Sequence, residues 1–153
     1  REPGVVQYSP GRYRYMTDTD TAQLEQLLNY RMTQARETLR EAEILLAASA
    51  VRGTFNRAYY AMFYALTALL ATKGLRTSKH SGTLALFDRE FVKPGVFPPK
   101  YSRVVRMAFE RRQRYDYGET VTPLSPDNAA NAVTEATEFL EAVASYLRLR
   151  GYL

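Results

Sequence analysis

Residues 54–73 read TFNRAYYAMFYALTALLATK, from Thr54 to Lys73. Before its last position this stretch holds one charge, Arg57, and it has no proline and no glycine. Its middle, AYYAMFYALTALLA (Ala58–Ala71), is apolar on nearly every side of a helical wheel. A helix like that must be covered on most of its faces. It is therefore expected to be the central helix of a bundle, bounded by a break at Gly53 and a stop at Gly74.

The flanking sequence supplies the cover. Upstream, Thr19 or Asp20 can cap a first helix running to about Ser49. Met32, Leu39 and Leu46 repeat every seven residues, with Leu28, Ala35 and Ala42 as a second row. That is the seam of a helix packed at a shallow angle. Downstream, Ser81 to Phe91 can form a short helix, and Lys93-Pro94-Gly95 and Phe97-Pro98-Pro99 punctuate a loop. A third long helix is expected from about Pro99 to Tyr117. A fourth runs from the Ser125 cap, with Pro126 at its first position, to about Arg150. The inner face of the fourth is Ala129, Ala132, Val133, Ala136, Phe139, Leu140, Val143 and Leu147. No strand pattern is expected anywhere. The fold class is all-α: an up-and-down four-helix bundle with an additional short helix between the second and third long helices.

Composition bounds the chemistry. The chain has 153 residues, enough for one domain with a sizeable core. Cysteine is absent, which removes disulfides, thiolate catalysis and Cys-ligated metals. One histidine, His80, leaves no His-rich metal site or His-based triad. The reading calls for no metal, no cofactor and no membrane, since no apolar run reaches a span's length. Residues 1–15 lack periodicity and are read as a non-native or disordered leader, with a single domain over 16–153. A cytoplasmic protein is expected.

Lys and Arg total 21 against 16 Asp and Glu, a net charge of +5. The excess is local. Between Lys100 and Arg114 stand six basic residues and one acid, Glu110. Arg103, Arg106 and Arg114 share one exposed face there, a stripe suited to a nucleic-acid backbone or simply to solvent. On the opposite, apolar face lie Arg112 and Asp116, four residues apart and able to touch. Such groups are costly to bury unless satisfied. The central helix offers a matching polar arc: Asn56, Arg57, Tyr60, Tyr64 and Thr67. If the two helices pack together, guanidiniums and phenols share a pocket. Guanidinium forks match phosphate oxygens, and tyrosine rings can stack on bases. A buried structural ion pair and an ordinary tyrosine core are the bland alternatives. Gly74-Leu75-Arg76-Thr77-Ser78-Lys79 is no phosphate loop, because the spaced glycines are missing.

Three segments together resemble the HEPN domain family: Asn56-Arg57-Ala58-Tyr59-Tyr60-Ala61-Met62-Phe63, Ser78-Lys79-His80-Ser81-Gly82, and Arg112-Gln113-Arg114-Tyr115-Asp116-Tyr117-Gly118. The likeness is to small bacterial and archaeal single-domain members and spans about Leu28 to Leu147. It implies a four- or five-helix bundle, often a homodimer, and nucleotide or RNA binding. It also implies a minimal nucleotidyltransferase as partner in a toxin–antitoxin-like pair. Asn56, Arg57, Tyr60, Tyr64, Lys79, Arg112, Asp116 and Tyr117 are the binding candidates.

The family's ribonuclease members place a histidine a few residues after the arginine. Here Tyr117, Gly118 and Glu119 stand in its place. A tyrosine with an ordinary pKa near 10 is a poor base at neutral pH. The reading therefore leans to a binding module without the usual catalytic histidine. The alternative is a divergent metal-independent ribonuclease using Arg112 with Tyr117 or His80. A purely structural interaction protein is the third possibility.

Overall fold

The computed structural model describes residues 6–9, 12–15, 18–116 and 125–153. Helix α1 spans Asp18–Ala47, α2 Val51–Ala71, α3 His80–Phe87, α4 Pro99–Asp116 and α5 Pro126–Leu149. The four long helices make an all-α, up-and-down bundle, and α3 is the extra short helix between the second and third of them. α2 is its centre, packed on α1, α3, α4 and α5. The reason lies in its side chains. Alanines at 58, 61, 65 and 68 let neighbours approach, while Met62, Leu66 and Leu69 fill the space between.

α1 buries Leu28, Met32, Ala35 and Ala42 completely. The expected seam holds there but not at Leu39 and Leu46, which are only half-buried. Thr38 takes the inward position, its hydroxyl donating to the Gln34 carbonyl at 2.7 Å, so no donor is stranded. Gly53 is not a break. It lies in the first turn of α2, where an added Cβ would stand 3.0 Å from Leu45 Cδ1. Its role is close approach to α1. The corner itself is Ala48 to Ala50, with Ser49 in the left-handed region at φ 59°.

α2 ends as expected. Gly74 adopts φ 66°, and Leu75 N–H returns to the Leu70 carbonyl at 2.9 Å. α3 is shorter than expected because the chain widens into a π-helical turn over Asp88–Val92. Phe87, Phe91 and Phe97 are buried there, against Phe139, Tyr101 and Tyr146. α5 buries all eight residues of its expected inner face. Its cap is Ser125 Oγ, which accepts from Asn128 N–H at 3.1 Å.

The expectation of no strand pattern also needs correcting. Val6–Ser9 (β1) and Arg12–Tyr15 (β2) pair antiparallel, with Val6 opposite Tyr15. Val and Tyr favour strands, and Pro10-Gly11 separates the two segments, a combination that suits a hairpin. No helix among the described residues is long and apolar enough to cross a membrane.

Candidate functional site

α4 carries Arg112 one turn from its end and packs beside α2. Helical phase turns that side chain inward, and the guanidinium settles on two phenol rings. Its Cζ lies 5.3 Å from the centre of the Tyr59 ring and 5.0 Å from that of Tyr60. On Tyr60 a second guanidinium converges, Arg57 at 5.1 Å. Each such contact contributes about 0.5–2 kcal/mol, more as water is excluded. Arg57 is oriented by its neighbour: Asn56 Oδ1 accepts from its Nε at 3.1 Å and from Nη2 at 2.8 Å. Glu41 of α1 lies 3.5 Å from Nη1.

His80, the first residue of α3, meets the same cluster. Its Nδ1 stands 2.5 Å from the Tyr59 hydroxyl and 3.2 Å from Arg112 Nη1. Arginine has only donors, so Nδ1 must be the acceptor. The Tyr59 O–H donates to the same nitrogen. The imidazole is therefore neutral, with its proton on Nε2. Its ring stacks on Phe63, with centroids 4.1 Å apart. Burial lowers the His80 pKa below its ordinary value, and the nearby Arg112 charge lowers it further. Burial raises the Tyr59 pKa strongly, opposed in part by Arg112, so the phenol keeps its proton.

A cavity of about 350 Å³ opens beside this cluster. Asn56, Arg57 and Tyr59 line it from α2, and Arg111 and Arg112 from α4. Arg111 lies over the Phe55 ring at 4.7 Å.

The structure thus brings together Asn56, Arg57, Tyr60, Arg112 and His80. Tyr64 joins through ring contacts with Tyr60 at 6.0 Å and Phe63 at 6.2 Å. Thr67 does not join: its hydroxyl donates to the Tyr64 carbonyl at 2.7 Å, and it lines a separate cavity beside α1. Lys79 is exposed ahead of α3, its backbone N–H donating to Thr77 Oγ1 at 3.2 Å. Asp116 is the last residue of α4, and its side chain lies outside the described residues, as does Tyr117. The expected basic stripe is partly neutralised, because Arg106 pairs with Asp88 at 2.6 Å. Tyr59, Phe63 and Arg111 were missed from the sequence as site residues. On a helix apolar all round, no periodicity singles out Tyr59. Its polar partners, His80 and Arg112, lie 21 residues or more away along the chain.

Among the described residues, no group of three or more His, Cys, Asp or Glu could hold a metal ion.

The HEPN domain family model matches residues 28–146. The chain belongs to the HEPN domain family. A "UPF0332 protein" of Thermotoga maritima is 41% identical over 119 residues, covering 78% of this chain and 89% of the relative. Two proteins of Methanocaldococcus jannaschii carry the names "Putative toxin MJ0605" and "Putative toxin MJ0142". They are 32% and 30% identical, over 74% and 86% of this chain and over 84% and 86% of their own lengths. The HEPN match covers α2, α3 and α4 and most of α1 and α5, so it includes the Arg112 cluster.

Proposed function

We infer that this HEPN protein, a toxin-like module by its relatives' names, binds the phosphate of a nucleotide or of RNA at Arg112. The observation that carries this reading is the Arg112 guanidinium held between two phenol rings and the acceptor nitrogen of His80. A guanidinium fixed this way has lost its rotamer freedom before any ligand arrives. It lines a cavity where Arg57 and Arg111 add positive charge. A phosphate is the ligand such a cluster suits. Pairing with a minimal nucleotidyltransferase in a toxin–antitoxin system, and assembly as a homodimer in the cytoplasm, belong to the same reading.

Isothermal calorimetry with ATP and with short RNA tests it. Arg112→Ala should weaken binding by about 10- to 100-fold, the worth of a charged hydrogen-bonded contact. Equal affinities in wild type and variant would remove Arg112 from the site.

The second reading is metal-independent RNA cleavage, favoured by one observation: His80 touches Arg112. A cleavage site needs a group to take the 2′-hydroxyl proton and a cation for the phosphorane charge. His80 is poorly arranged for the first task. Its Nδ1 already accepts from Tyr59 and Arg112, and Nε2 already holds its proton. Binding is therefore the better-supported function. RNA incubated with the protein under chelation should stay intact. Cleavage that vanishes in His80→Ala would reverse that order.

A further inference from the structure

The cavity behind Arg112 has more structure than a phosphate needs. At about 350 Å³ it is small for a ligand site, of a size for one compact group rather than a strand. Its inner wall is apolar: Phe55, Ala58 and Met62 of α2 are buried, opposite Ala108 of α4 and Ala132 of α5. The Arg111 guanidinium lies 4.7 Å over the Phe55 ring and makes one side a flat cation–ring surface. Among the described residues, Glu135 of α5 supplies the only carboxylate in the lining. It is exposed and forms no ion pair among the described residues.

We propose that this cavity receives a single unstacked nucleobase bearing an exocyclic amine, with Glu135 accepting from that amine. The proposal rests on Arg112 being the phosphate anchor. A base has two apolar faces and a polar edge, and the cavity answers both. Apolar side chains and the Arg111–Phe55 surface cover the faces. A carboxylate accepts from an amine but repels the carbonyl oxygens that uracil presents. Adenine, cytosine and guanine carry such an amine; uracil does not. The base can belong to a free nucleotide or to one splayed residue of RNA, since the cavity meets the same chemistry in both.

Calorimetry on the full chain with AMP, UMP, ribose 5-phosphate and a short oligoadenylate tests the proposal. AMP should bind about tenfold more tightly than ribose 5-phosphate, within what base stacking contributes. UMP should bind no better than ribose 5-phosphate. Glu135→Ala should erase most of the preference for AMP over UMP. Its exposed position leaves the fold intact, which a thermal melt will verify. Ala108→Leu, which narrows the cavity, should weaken AMP and spare ribose 5-phosphate. Equal binding of AMP and ribose 5-phosphate that still depends on Arg112 overturns the base site and leaves the phosphate reading standing. Binding that ignores Arg112→Ala, or no binding at all, overturns both. AMP equal to or tighter than the oligomer identifies a free nucleotide; a tighter oligomer identifies a splayed RNA residue.

Discussion

A neutral imidazole caught between a phenol and a guanidinium has a measurable signature. His80 is the only histidine, so its titration can be read by NMR without assignment. Burial and the Arg112 charge hold its pKa below the ordinary value, so in this window the unfolded chain binds protons that the folded chain does not. Stability should fall as pH drops from about 6.5 toward the folded pKa, and level off below it. Urea melts across that range will check the sign. In Arg112→Ala the His80 pKa should rise. A His80 pKa at or above the ordinary value in the wild type would contradict the arrangement. Tyr59 works in the opposite range. Its pKa is raised by burial, so stability should decline with pH once unfolded tyrosine ionises, above about pH 10. Tyr59→Phe removes the O–H donor and should cost about 1 kcal/mol in a melt. If Tyr59 positions Arg112, phosphate affinity falls too; a merely structural phenol would lower the melt alone. At this scale the sequence was only half legible. Phase along α4 turns Arg112 inward, and phase along α2 puts Tyr60 beneath it. Nothing local pairs His80 with residues 21 and 32 positions away.

Helices were the legible part, because each long one carries its own period and punctuation. The inner face of α5 is buried at every expected position, and Ser125 caps it as its sequence demands. Ser125→Ala should therefore destabilise by about 1 kcal/mol, measured by urea denaturation. Leu66, fully buried at the middle of α2, should cost about 2–5 kcal/mol as Ala. The errors have physical reasons as well. Gly53 looks like a helix break in sequence because glycine is a poor helix former. In the fold, the lack of a Cβ is used for contact with Leu45. Thr38 displaces Leu39 from the buried row because a back-bonded hydroxyl is cheap to bury. The β1–β2 pair was overlooked because four-residue strands carry too little alternation to register. Ser49, at φ 59°, holds a backbone shape that glycine adopts more easily. Ser49→Gly should raise the melting temperature slightly, by about 1–2 °C, and leave ligand binding unchanged.

For the molecule as a whole, charge is concentrated where the cavity opens. The segment from Lys100 to Arg114 supplies Arg111 and Arg112 to its rim, while α2 supplies Arg52 and Arg57. RNA affinity should fall as salt rises, and Arg112→Ala should flatten the log–log slope by roughly 1. Arg106→Ala should change that slope little, since Asp88 already compensates Arg106. The starting residue of α3 has a dynamic consequence. One imidazole fastens three helices: α3 carries it, Tyr59 belongs to α2, and Arg112 to α4. The connection from Thr72 to Lys79 joins α2 to the helix that carries the imidazole. Each transient opening of the connection would withdraw the imidazole and let the guanidinium wander. An anion that binds only the fastened form must then quiet this breathing, so amide exchange across residues 76–82 should slow when the cavity fills, although the ligand touches none of those amides.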